Sequence, residues 1–242
     1  MGAFIDAIDA LNPVAWYKCD EASGTTLNDS SGNGYHGAYF GTVDYQSGSL
    51  VPLDTGCNSF QTDGTAQYAY SATNAALDLT TDHTIIYVAS INSGNYPGMR
   101  NSSSTGGSGT YVYQGSGNTT WRFYGNTYTA PNNVCAAMAY SSSPSHFVAI
   151  RSSDGATRNG WFFVATGGAF TVHQGPTASV SNASPWYLGK NGTNAQYQAG
   201  RYGPWAYFNS ALSDADIYNL ASVGGFIKNA RSTVKGFVRN HP

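Results

Sequence analysis

The run Gly200-Arg201-Tyr202-Gly203-Pro204-Trp205-Ala206-Tyr207-Phe208-Asn209-Ser210-Ala211-Leu212-Ser213-Asp214-Ala215-Asp216-Ile217 decides the reading of this chain. Gly203 to Phe208 is a closing strand, dense in aromatic residues that suit a packed, pleated surface. Ser213 then stands as N-cap of a short helix over 214–221, with Asp214 and Asp216 in the first turn, where negative charge is favoured. Gly224-Gly225 stops it. A second run, near the start, pairs with the first: Pro13-Val14-Ala15-Trp16-Tyr17, then Asp20 to Thr26, then the turn-rich Asp29-Ser30-Ser31-Gly32-Asn33-Gly34-Tyr35-His36-Gly37. First and last strands drawn from opposite ends of the chain fit a sandwich.

Composition agrees. The chain has 242 residues, enough for one large sandwich with a core that needs no metal or disulfide staples. Charged residues are only 10%, against about 25% in an average globular protein. Glycine (29) and tyrosine (18) are abundant, as in strands joined by many polar turns. The net charge of −2 gives no global field to attract DNA or acidic lipid. Three cysteines, Cys19, Cys57 and Cys135, are unevenly spaced, so a thiolate zinc site is not expected and at most one internal bridge can form. Reduced, mostly structural thiols are expected, with a Cys19–Cys57 bridge the exception if one forms. No segment approaches the ~20 apolar residues of a membrane span. Residues 1–12 lack a signal-peptide pattern.

Between the two runs the periodicity is that of strands. Ala3 to Leu11 predicts a short helix, with Phe4, Ile8 and Leu11 on one face, halted by Asn12-Pro13. Thr84 to Ile91 is the strongest strand; its unbroken apolarity predicts a central strand covered on both sides. Further strands are predicted over 14–17, 58–61, 67–70, 110–113, 120–124, 134–139, 146–151, 161–165, 170–173 and 186–189, with 92–109 a long polar loop. The expected organisation is a helical lead-in (1–12), one β domain (13–223) and a basic-apolar C-terminal arm (224–242).

The segment Val14 to Gly37 resembles the opening of the concanavalin A-like lectin/glucanase superfamily, in particular its laminin-G-like jelly-roll modules. Phe60, Asp63-Gly64 and Tyr68 look like the continuation; Leu188-Gly189, Gly200 to Phe208 and Ala211 to Ala215 look like the close. The likeness spans about residues 13–222 and fades over 92–144. It implies an all-β fold: a two-sheet antiparallel jelly-roll sandwich, here with short terminal helices. The Leu11-Asn12-Pro13-Val14-Ala15 opening is most similar to modules of bacteriophage tail and virion proteins. The fold serves lectins, hydrolases, adhesins and spacers alike, so function has to come from the site.

A glycosidase needs two carboxylates about 5–9 Å apart. The chain has one glutamate, Glu21, beside Asp20, and no acid between 83 and 153 or between 155 and 213. Asp20 and Glu21 would point to opposite faces of a strand. Catalysis is therefore not expected; two carboxylates converging from Glu21, Asp63 and Asp154 would contradict that. No cysteine shares a local motif with a histidine, and His36 reads as a support of its glycine-rich loop. Calcium needs about six to eight oxygens. Asp29 and Asn33, with Asp63 from its own turn, could supply some of them for a structural ion; the same residues could instead cap turns through backbone amides. No cofactor is required.

Sugar rings pack on aromatic faces while polar groups meet their hydroxyls. Trp121, Arg122, Tyr124, Tyr128, Tyr96 and Asn101 supply both kinds of group in the variable middle and are the expected glycan or receptor surface. Phe226, Lys228, Arg231, Lys235, Phe237 and Arg239 form the expected assembly arm. The expectation is a non-enzymatic bacteriophage virion structural protein, a capsid decoration or tail-attached module. Its partners would be other virion proteins and further copies of itself, a trimer favoured, with neither membrane nor nucleic acid. The alternative is a carbohydrate-binding adhesin that recognises host-surface glycans.

Overall fold

The computed structural model describes residues 2–77, 82–93, 99–100, 110–114, 120–125, 133–139, 145–153, 159–166, 168–176, 185–190 and 197–227. Helix α1 (Ala3–Asp9) leads into β1 (Ala15–Tyr17), β2 (Thr26–Leu27), β3 (Gly37–Phe40), β4 (Phe60–Asp63) and β5 (Tyr68–Tyr70). The middle holds β6 (His83–Ser93), β7 (Met99–Arg100), β8 (Thr110–Gln114), β9 (Thr120–Gly125) and β10 (Asn133–Ala139). Then come β11 (His146–Ser153), β12 (Asn159–Thr166), β13 (Ala169–Pro176), β14 (Tyr187–Leu188), β15 (Ala199–Phe208) and α2 (Asp214–Val223). The first sheet runs β1-β15-β6-β11-β12-β13, with β4 also on β15; the second runs β10-β9-β8-β7-β14-β5-β3-β2. All pairings between the named strands are antiparallel, and the two sheets form the jelly-roll sandwich expected from the sequence.

Strand β6 explains the architecture. Its side chains alternate between two cores: Ile85, Tyr87, Ala89 and Ile91 join one cluster, Ile86 and Val88 the other. The first cluster fills the space between the sheets, where Trp205, Tyr207 and Val148 meet Leu188, Ala69 and Tyr39. The second lies on the far side of the first sheet, beneath Phe4, Ile5 and Ile8 of α1, Ile217 and Leu220 of α2, and Leu50 to Cys57. A strand covered on both faces reads as continuously apolar, which is why Thr84 to Ile91 lacks alternation.

Strand β15 spans the hand-over between partners. Residues 199–202 pair with β4 and 205–207 with β1, and the register against β6 shifts between Tyr202 and Trp205. Pro204, which has no N–H for a ladder, falls within that shift. The extra residue keeps Tyr202 and Trp205 in the same core cluster. The Ser213 cap forms as a full capping box, with Asp216 N–H donating to Ser213 Oγ and Ser213 N–H to the Asp216 carboxylate. Arg151 of β11 fastens this helix start to the sheet through Asp214 (2.6 Å) and the Leu212 carbonyl (2.7 Å).

Some expectations need adjustment. Phe226, grouped with the assembly arm, is a core residue packed on Phe4 and Phe147. Its apolar ring follows Gly224-Gly225, whose turn folds the chain back onto α1. Lys228, Arg231, Lys235, Phe237 and Arg239 lie outside the described residues. The 29–37 loop ends in strand β3, and β7 falls in the expected 92–109 loop. Cys19 and Cys57 are both buried free thiols, in opposite core clusters, in keeping with the reduced structural thiols expected. Among the described residues no helix is long and apolar enough to cross a membrane.

Candidate functional site

The sandwich has four sheet faces. Two meet in the central core, and the helices cover the third. The outer face of the second sheet is the fourth, and alternation decides what it carries. In β5, Ala69 enters the core while Tyr68 and Tyr70 belong to neither core cluster, Tyr68 being buried and Tyr70 half-buried. In β14, Leu188 enters and Tyr187 does not. In β3, Tyr39 enters and Phe40 is left 50% exposed. An outer antiparallel face is ordinarily polar. This one is aromatic, which is the informative departure.

Register brings the rings together. Tyr68 pairs with Phe40, and Tyr70 with both Ala38 and Tyr187. Phe40 stacks on Tyr68 at 4.8 Å between centroids and 21° between planes. Tyr187 lies 5.9 Å from Tyr68 and 6.0 Å from Tyr70. Tyr197, from the segment entering β15, stacks on Tyr68 at 6.1 Å. Lys190 stands over this group, its Nζ 4.5 Å from the Tyr68 centroid, 5.4 Å from Tyr187 and 6.0 Å from Tyr197. Gly189 makes that position reachable: its φ of +85° turns the chain just after β14, and Lys190 then bridges Tyr197.

Electrostatics follow from partial burial. Desolvation holds the Lys190 ammonium below its usual value. Burial raises the Tyr68 phenol, reinforced by Tyr187, Tyr197 and Tyr70, so this ring stays neutral at ordinary pH. Lys190 appears in no ion pair among the described residues; the two found there are Lys18–Asp9 and Arg151–Asp214.

The residues expected from the sequence are only partly described. Tyr96, Asn101 and Tyr128 lie outside the described residues. Trp121, Arg122 and Tyr124 are in β9, their side chains outside the description. Backbone register nevertheless links this strand to the platform. Tyr187 pairs with Arg100, Arg100 with Tyr111, and Tyr111 with Tyr124, so these positions form one row across the sheet. Arg122 falls on the phase of Tyr124, and Trp121 on the alternate phase.

Asp29 is a turn organiser. Its carboxylate accepts N–H bonds from Trp16 (2.8 Å), Ser31 (2.9 Å) and Tyr35 (2.9 Å), and the Ser31 hydroxyl at 2.8 Å. Partial burial pushes its pKa up, but these four donors outweigh it and leave the group below its ordinary value. Asn33 donates to the Val14 carbonyl at 3.0 Å, and Asp63 accepts the N–H and hydroxyl of Thr65. Asp63 pairs with Ala199, whereas Asp29 bridges Tyr17, the partner of Trp205. Six residues along β15 put the two carboxylates about 20 Å apart. The three residues therefore do not fit a shared calcium site. Among the described residues no three His, Cys, Asp or Glu side chains gather as a metal cluster.

Glu21 is likewise engaged, accepting from the Asn28 N–H (2.6 Å) and the Tyr39 hydroxyl (2.7 Å). His36 Nδ1 accepts the Asp29 N–H, supporting its loop. A polar cleft of about 500 Å³ opens at the other end of β15, between Asn12, Pro13, Asn33, Asn209 and Ser210.

Sequence reasoning missed the platform, although its signal was present. Tyr-Ala-Tyr at 68–70 and Trp-Tyr-Leu at 186–188 each set a tyrosine against core neighbours of opposite parity.

Comparison with known proteins gives the class of fold. No protein-family model and no curated protein matches the chain. Among solved structures, Trypanosoma rangeli sialidase in complex with sialic acid matches over 90% of this chain and 34% of its own, with TM-score 0.62 and 13% identity. The receptor binding domain of botulinum neurotoxin C/D mosaic serotype matches over 89% and 52%, with TM-score 0.63 and 14% identity. The binding domain of Paraclostridial Mosquitocidal Protein 1 matches over 89% and 53%, with TM-score 0.60 and 14% identity. The chain thus spans a third to about half of these proteins. It has the concanavalin A-like, jelly-roll, lectin-type sandwich they contain.

Proposed function

We propose that this protein is a non-enzymatic, carbohydrate-binding lectin-like module, with the outer face of the second sheet as its binding surface. The observation that carries the proposal is the platform of Phe40, Tyr68, Tyr70 and Tyr187 on the outer face of the second sheet, which no helix covers among the described residues. Flat rings suit the apolar face of a pyranose, while phenol hydroxyls and Lys190 can meet its oxygens. The non-enzymatic reading is supported by the strands of the second sheet, which contain no Asp or Glu to act as the acid–base pair of a glycosidase. The fold it shares with a sialidase and two toxin binding domains accords with recognition of cell-surface ligands. Display on a virion, head or tail, is the setting we propose for such a module.

The test is a glycan array followed by titration of the best ligand against Tyr187→Ala. Tyr187 is half-buried and lies outside both core clusters, so its loss should leave the fold intact. Affinity should fall about tenfold, the worth of one well-stacked ring. An array with no binding above background, or an unchanged affinity in the variant, would contradict this surface assignment.

A further inference from the structure

We infer that the platform selects an acidic oligosaccharide, one carrying carboxylate or sulfate groups, and that Lys190 is the residue that reads the charge. The inference rests on the glycan-binding reading above and names its ligand class.

Three observations point the same way. Lys190 is held over Tyr68 at 4.5 Å and takes part in no ion pair among the described residues. A partly desolvated cation without a carboxylate partner is ready for an anion from outside. Second, the eight strands of the second sheet contain no acid, whereas Arg100 and Arg122 both sit on the register phase of Tyr187. The acids of the chain lie at residues 6–82, at 154 and at 214–216, none of them within these eight strands. The protein's overall charge of −2 therefore conceals a basic, acid-free sheet. Third, the row Tyr70, Tyr187, Arg100, Tyr111, Tyr124 crosses five adjacent strands. At about 4.8 Å per strand it extends about 19 Å, the reach of an oligosaccharide and not of a single sugar.

Matched ligands test this. The probes are an oligogalacturonate and its fully methyl-esterified, neutral form, and a sulfated galacto-oligosaccharide with its desulfated form. Each is titrated calorimetrically at low and high salt. The charged member of at least one pair should bind about tenfold more tightly, with the advantage shrinking as salt rises. The source of charge is read from which pair responds. Lys190→Gln should abolish most of the advantage, and Lys190→Arg should retain it. The galacturonic acid monomer should bind more weakly than the oligomer.

Equal binding of charged and neutral forms, with loss on Tyr187→Ala, would overturn the charge inference and leave the glycan reading standing. Survival of the charge preference in Lys190→Gln would remove the role of Lys190. Tighter binding of single-stranded DNA than of any sugar would replace the ligand class, since tyrosines with arginines also suit nucleotide stacking. No binding by any sugar would defeat both readings.

Discussion

Asp29 shows how one side chain can stand for a whole loop. Its carboxylate gathers the N–H groups of Trp16, Ser31 and Tyr35, tying the first strand to the glycine-rich turn beyond it. The sequence left two readings for this residue, a calcium ligand or a turn cap, because both use the same oxygens. Geometry favours the cap, since its acceptor sites are filled from within the chain. Removing it strands buried donors, so Asp29→Ala should destabilise the protein by about 2–4 kcal/mol, measured by urea unfolding. The pH dependence has a definite sign. With the folded pKa lowered, the stabilisation is complete above the unfolded value of about 3.9 and is lost as pH falls through the folded value. The stability gap between wild type and Asp29→Asn should therefore be widest near neutral pH and close in acid; a gap independent of pH would contradict it.

At the scale of elements, legibility followed burial. Strand β6 and helix α2 were readable because an unbroken apolar run and a capping box are local signals. Strands β2, β3 and β7 were not, because elements of two to four residues owe their state to the partner they pair with. Gly37 illustrates this dependence. A Cβ there would stand 2.2 Å from the Tyr70 carbonyl, so only glycine lets β3 close on β5. Gly37→Ala should cost about 1–3 kcal/mol by overpacking and displace Phe40 from Tyr68. It should weaken sugar binding together with stability, whereas Tyr187→Ala weakens binding alone. A Gly37→Ala protein with wild-type melting temperature and affinity would refute the claim that this close approach holds the platform.

The molecule is a two-sheet sandwich in which, among the described residues, β6 of the first sheet is covered on both faces while the outer face of the second carries half-buried and exposed rings. That asymmetry explains what the sequence disclosed about function and what it withheld. Fold class was legible from the two ends, because β1 and β15 are neighbours and both enter the central core. The site was not, because attention to the aromatic-rich middle passed over tyrosines whose significance lies in parity. Tyr70 and Tyr187 look like core residues until Ala69, Trp186 and Leu188 are seen to fill the inside, and Tyr68 is buried yet lies outside both core clusters. Tyr124 shares the backbone register row that starts at Tyr70, and Arg122 shares its phase in β9.

The most direct measurement is NMR mapping of the isotope-labelled protein with the tightest oligosaccharide from the titrations. Shifts centred on Tyr68, Tyr70, Tyr187 and Lys190 are the predicted result. Shifts confined to Asn12, Asn33 and Asn209 around the polar cleft, with the platform silent, would contradict the account and move the binding site to the far end of β15.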